Sequence, residues 1–193
     1  EETDDSKSKK MFGAVVRSTA EHLLVELPVI SYYDEDSIYI KWNRATTDTS
    51  FLLKFLNSEN RILYVHRTPL NNYWLDINKM KLRAGESYKL IVNSNGNRSL
   101  SSDTIKIKIP ERKVVNDLKS DFANYELNNN SPLDLIQSAL IYEKSGFNNL
   151  AKKHLQAANS LAPGVDQYTQ IYNLFLLKNG LDFLIDTKTL ERR

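Results

Sequence analysis

Thr104-Ile105-Lys106-Ile107-Lys108-Ile109-Pro110-Glu111-Arg112-Lys113-Val114-Val115-Asn116-Asp117-Leu118 contains the point at which the chain changes its period. Up to Ile109, apolar and polar residues alternate, which puts Ile105, Ile107 and Ile109 on one face of a strand. Beyond Pro110 the spacing turns helical. Val114, Val115, Leu118, Phe122 and Tyr125 form one apolar stripe over residues 111–127. The chain therefore divides near Pro110 into an all-β part and an all-α part.

Working back from the break, period-two runs rich in β-branched and aromatic residues recur. Ser37-Ile38-Tyr39-Ile40-Lys41-Trp42 places Ile38, Ile40 and Trp42 on one face. The runs 50–56 and 61–66 flank the four-residue turn Asn57-Ser58-Glu59-Asn60. Runs at 73–77, 88–92 and 104–109 follow, with a hairpin turn over Asn93 to Asn97 around Gly96. Six or seven short strands at this spacing predict a β-sandwich. Residues 11–30 admit two readings. Gly13–Arg17 and His22–Leu27 pair as an extra hairpin (11–26), or the second run is the first strand of the sandwich; Pro28 suits an edge in either case.

Working forward, Asn128-Asn129-Asn130 interrupts the helical pattern and Ser131-Pro132-Leu133-Asp134 restarts it. Ser as N-cap, Pro at the first helical position and a carboxylate facing the helix dipole are strong start signals. That helix stops at Gly146. A third, capped by Asn148 or Asn149, runs to about Leu161 before Pro163-Gly164, and a fourth spans Val165 to Lys178 before Asn179-Gly180.

Composition removes several kinds of chemistry. The 193 residues carry 26 Lys+Arg against 24 Asp+Glu, a net charge of +2, spread as −1, +3 and 0 over residues 1–12, 13–112 and 113–193. No segment is basic enough for a nucleic-acid footprint. With no Cys, a disulfide framework, a thiolate metal site and a Cys nucleophile are excluded. His22, His66 and His154 lie too far apart for a zinc helix, and six Gly form no phosphate-cradling loop. No apolar run reaches the length of a membrane span. Residues 1–12 read as a flexible polar leader, and 187–193 as a frayed tail. The absent initiator Met fits a processed or trimmed chain, and a leader of this kind often follows a removed signal or anchor; an ordinary frayed terminus explains it equally well.

Two resemblances follow from specific residues. Leu82-Arg83-Ala84-Gly85-Glu86-Ser87-Tyr88 resembles the E–F corner of fibronectin type III modules: Leu82, Gly85 and Tyr88 match, while Ala84 and Glu86 replace the usual Pro and Thr. Trp42 resembles the core Trp of that family. The resemblance covers about residues 27–110 and implies an immunoglobulin-like sandwich pinned by a tyrosine corner. The helical half, 111–186, resembles a tetratricopeptide repeat. With Pro163 as the closing Pro, Ala151, Leu155 and Ala158 take the small or apolar positions of the second helix, and Leu135, Ala139, Tyr142 and Gly146 those of the first helix and its turn. Leu135 stands where the family has Trp, and Ala139 where it has Gly. One complete repeat is visible, and Val165–Lys178 reads as the first helix of another.

In that register Leu133, Ile136 and Leu140 line the concave groove of the repeat, and Glu143 and Lys144 extend the same candidate protein-binding surface. Either the helix at 111–127 covers Leu133, Ile136 and Leu140, as its matching stripe favours, or a partner does. The resemblances imply a non-enzymatic adaptor or scaffold that binds protein. No cofactor, metal or nucleic acid is expected. The compartment implied is the bacterial periplasm or cell envelope, with a membrane tether upstream of Glu1; a cytoplasmic location is the alternative. A second reading is a carbohydrate-binding or accessory module that uses Tyr32-Tyr33 and Tyr73-Trp74, one residue of each pair filling the core and the other exposed. Asp34-Glu35-Asp36 reads as a solvated turn rather than a calcium loop, which needs more oxygen ligands and a Gly at the bend. Asn97-Arg98-Ser99 fits a glycosylation sequon, a pattern short enough to arise by chance. No carboxylate pair has the context of a hydrolase.

Overall fold

A computed structural model describes residues 22–43, 50–97, 100–125 and 131–185. The expected leader and tail, the run 13–17 and the last two residues of the sequon fall outside them.

Among the described residues the β part contains nine strands: β1 (His22–Leu23), β2 (Ile30–Tyr32), β3 (Ser37–Lys41), β4 (Phe51–Leu56), β5 (Ile62–Thr68), β6 (Asn72–Asp76), β7 (Ser87–Ser94), β8 (Ser101–Ser102) and β9 (Ile105–Lys108). The larger sheet runs β1-β8-β7-β4-β5, with β9 also paired to β7 and β2 paired to β9; β3 and β6 form the second sheet. Alternation does what it predicts. Ile38 and Ile40 on β3, Phe51, Leu53 and Phe55 on β4, Tyr88, Leu90 and Val92 on β7, and Ile105 and Ile107 on β9 point inward and are buried between the sheets. Trp42 sits at the centre of this core, edge-on to Phe51 with ring centroids 5.4 Å apart.

The run His22–Leu27 joins the sheets: β1 runs parallel to β8 and Val25 bridges to Trp42, and after Pro28 β2 runs parallel to β9, while the other run of the hairpin reading, 13–17, lies outside the described residues. The E–F corner folds as its residues imply. Gly85 holds φ +82, and the Tyr88 hydroxyl accepts the Arg83 N–H at 3.0 Å while donating to Glu86 at 2.8 Å.

Four helices follow: α1 (Arg112–Ala123), α2 (Pro132–Lys144), α3 (Asn148–Leu161) and α4 (Asp166–Lys178), then a 3-10 turn at Asp182–Leu184. Ser131 caps α2 as read, its hydroxyl accepting the Asp134 N–H at 3.1 Å. α3 returns against α2 through a turn at Gly146, φ +82, and α4 packs against α3. Ala139, Ala151, Leu155 and Ala158 are buried in the core formed with Phe175, Leu176 and Leu181. Small side chains at these positions allow two helix backbones to approach closely. The described residues thus form a β-sandwich-like sheet region followed by four helices.

Two expectations need correction. α3 has Phe147 at its N-cap with no side-chain bond there, so neither Asn148 nor Asn149 caps it. No residue of α1 is fully buried. Its stripe is half-buried at best; among the described residues it meets the C-terminal end of α2, where Phe122 tilts against Tyr142 at 4.9 Å and Asp121 pairs with Lys144 at 3.4 Å.

Candidate functional site

Of the five residues expected on the helical surface, Leu133 and Leu140 are 58% and 53% exposed, whereas Ile136 is 6% exposed and belongs to the bundle core. Ile136 is therefore a structural residue: it follows Leu133 by three positions yet turns toward the core side of α2. Glu143 pairs with Lys178 of α4 at 2.6 Å, and Lys144 pairs with Asp121 of α1. The described part of α1 leaves Leu133 and Leu140 uncovered. On α4, Leu174, one turn before Lys178, and Leu177 are exposed as well, and Lys178 reaches α2 through its ion pair with Glu143.

The two parts of the molecule are docked as well as linked at Pro110. β2 pairs with β9 along one edge, and its other edge meets the turns of the helical part. The Tyr32 N–H donates to the Gly146 carbonyl at 2.9 Å, and the Val29 N–H to the Asn179 carbonyl at 3.3 Å. In return, the Asn148 side chain donates to the Ile30 carbonyl at 2.9 Å, and the Asn149 N–H to the Ser31 hydroxyl at 3.0 Å. Ser31 thereby supplies the cap that α3 lacks. Tyr32 lies on Phe147, ring centroids 5.5 Å apart, so it is an interface residue and not the exposed member of its pair; Tyr33 fills the core, as expected of its partner. Glu35, expected in a solvated turn, pairs with Lys153 at 2.5 Å, and Asp36 accepts from Asn78 at 2.9 Å.

Beside this seam lies a cleft of about 620 Å³. One wall is the outer face of the β3–β6 ribbon, where Tyr39 and Trp74 are register partners whose rings tilt at 41° with centroids 4.9 Å apart. Because β3 alternates, the positions that bury Ile38 and Ile40 turn Tyr39 and Lys41 outward. The opposite wall is the α3 face carrying Asn149, Lys152, Lys153 and Gln156, at i, i+3, i+4 and i+7. Glu26, Leu27, Glu35 and Asp36 close it toward the seam. Lys41 pairs with Glu26 at 2.9 Å, and this partner raises its pKa. The Lys152 ammonium donates to the Glu26 carbonyl; its burial, opposed by the Glu26 charge and helped by Lys153 and Lys41, pushes its pKa down to about 8. Among the described residues no three His, Asp or Glu side chains gather in a way that would hold a metal ion. Sequence reasoning picked out Trp74 but missed the cleft, whose lining comes from well-separated stretches. The four polar residues of α3 at one-face spacing were the signal available.

No helix among the described residues is long and apolar enough to cross a membrane. No family model matches the chain, and no curated protein matches it. Among solved structures, the chain is similar to the fn3 domain of human collagen alpha-1(XX) chain: 15% identity over 46% of this chain and 81% of that one, TM-score 0.31. It is similar to an Fn3-like protein from Clostridium thermocellum at 19% identity over 42% of this chain and 88% of that one, TM-score 0.30. A third likeness is to a beta-1,2-glucanase from Parabacteroides distasonis, at 15% identity and TM-score 0.29; it covers 75% of this chain but only 24% of the glucanase.

Proposed function

We propose that the protein is a non-enzymatic adaptor, in which a fibronectin type III-like sandwich holds a tetratricopeptide-like helical unit at a set angle and that unit binds another protein. The observation that carries this reading is the exposure of four large apolar side chains on two helices, Leu133 and Leu140 on α2 and Leu174 and Leu177 on α4. Exposed leucines on α2 and α4, with the neighbouring charges Glu143, Lys178, Lys144 and Asp121 already paired to one another, favour an apolar occupant. Leu133 and Leu140 stand seven residues apart, about 10 Å along the axis, which matches the i, i+7 anchors of an amphipathic partner helix. The cell envelope, with a tether upstream, is the setting proposed for it.

A photo-crosslinker at position 140, used in the native source, tests the reading. We expect one defined protein adduct, abolished by Leu133→Asp with Leu174→Asp in a chain whose circular dichroism is unchanged. If the adduct persists in that folded variant, or is a second copy of the chain, the reading fails.

A further inference from the structure

We propose that the cleft between the β3–β6 ribbon and α3 is a binding site for a short neutral oligosaccharide. The site shares no lining residue with the exposed leucines of α2 and α4 and goes beyond the adaptor reading.

Three observations converge. The first is the aromatic floor. Trp74 is 61% exposed and Tyr39 is 42% exposed, both on the outer face of the sheet, so two ring faces remain bare at the cleft. A cross-strand aromatic pair stabilises a ribbon whether or not it binds anything, but this pair lines a concave space faced by a second wall. The electron-rich face of an aromatic ring attracts the polarised C–H groups on one side of a pyranose. The 41° tilt between the rings suits successive, non-coplanar sugar units better than one flat aromatic ligand.

The second observation is charge. The lining holds three carboxylates (Glu26, Glu35 and Asp36) and three ammonium groups (Lys41, Lys152 and Lys153), and most are engaged with one another. Opposite charges in equal number select neither a phosphate nor a cation. What they leave, together with Asn149 and Gln156, is a wall of fixed donors and acceptors, the kind of partner a polyol satisfies. The third is size and rigidity. A volume of about 620 Å³ falls within the usual range for small-molecule sites. The two walls are also held in place by the backbone bonds of the β2 seam, so the site is formed before its ligand arrives.

The experiment is a calorimetric titration of the full chain with neutral gluco-, manno-, galacto- and xylo-tetraoses of both anomeric linkages, up to about 10 mM, followed in parallel by tryptophan emission. Because Trp42 is fully buried, a shift in emission reports on Trp74. We expect at least one neutral tetraose to bind with an emission change. Trp74→Ala should weaken it at least tenfold and Gln156→Ala several-fold, while Trp74→Phe keeps part of the affinity. Leu140→Asp should leave the titration unchanged, which separates this site from the adaptor surface. The proposal is overturned if no neutral tetraose binds, if binding survives Trp74→Ala, or if only uronic or sulfated sugars bind. Should Trp74→Ala prove unfolded, Tyr39→Ala with Gln156→Ala decides by the same criteria.

Discussion

Lys152 carries an electrostatic cost within an otherwise balanced surface. Its ammonium is fixed on the Glu26 carbonyl, and burial lowers its pKa from 10.5 to about 8 despite the Glu26 charge nearby. In the unfolded chain the same group returns to its ordinary value, so between pH 8 and 10.5 the unfolded state holds a proton here that the folded state has released. Unfolding free energy therefore rises with pH through that window on account of this residue, and below it the folded state bears the full cost of the buried charge. Other groups titrate nearby in the opposite sense, since Lys41 and Lys79 are held up by Glu26 and Asp76. The clean comparison is therefore with Lys152→Met, which keeps the unbranched apolar stem and removes the charge. Urea unfolding at about pH 7 and about pH 10 should show wild type gaining stability relative to the variant on going to the higher pH. A pH-independent difference would show that the ammonium is not desolvated in the folded protein.

At the scale of elements, the contrast between α2 and α3 shows what a helix start needs. Ser131 precedes α2 and caps it locally, whereas α3 begins after Phe147, whose side chain offers no acceptor. The acceptor comes from Ser31, 118 residues earlier in the chain, on β2. Ser31→Ala is expected to cost about 1–2 kcal/mol, as for the loss of a local cap, and to speed amide exchange in the first turn of α3. Unchanged stability and unchanged exchange would mean that water replaces the hydroxyl without loss. The same contrast explains what could be read in advance. The start of α2, the end of α4 at Asn179-Gly180 and the tyrosine corner rest on neighbours within a few residues, so local pattern was enough. Asn148 and Asn149 looked like caps because Asn is a good cap; their side chains are spent instead on the Ile30 carbonyl and on Glu35, a use that only the tertiary arrangement reveals. The cleft was illegible for a related reason. Glu26, Tyr39, Trp74 and Gln156 have no common period, and their grouping depends on how the helices sit against the ribbon.

At the scale of the molecule, a sandwich and a helical bundle joined by Pro110-Glu111 would be free to move if the linker alone connected them. Here a seam of backbone hydrogen bonds joins them as well. The outer edge of β2 gives its N–H groups to the carbonyls of Gly146 and Asn179, so an exposed strand edge and two helix ends satisfy one another. Such bonds carry no side-chain signature, which is why the helical half read as an independent unit. Two glycines make the approach possible. A methyl on Gly146 would lie 3.0 Å from the Tyr32 ring, and one on Gly180 would lie 2.7 Å from a Val29 methyl; both residues have positive φ. Gly180→Ala therefore carries two costs: about 1 kcal/mol of backbone strain at positive φ, and a steric clash that Val29→Ala relieves. If the seam couples the halves, the near-ultraviolet signal of buried Trp42 and the far-ultraviolet helical signal should unfold at one midpoint in wild type. Gly180→Ala should lower both together, and adding Val29→Ala should recover the steric part but not the strain. Two separate midpoints in wild type, or a Gly180→Ala effect confined to the helical signal, would show instead that the halves fold independently and that the cleft between them is not held open by the fold.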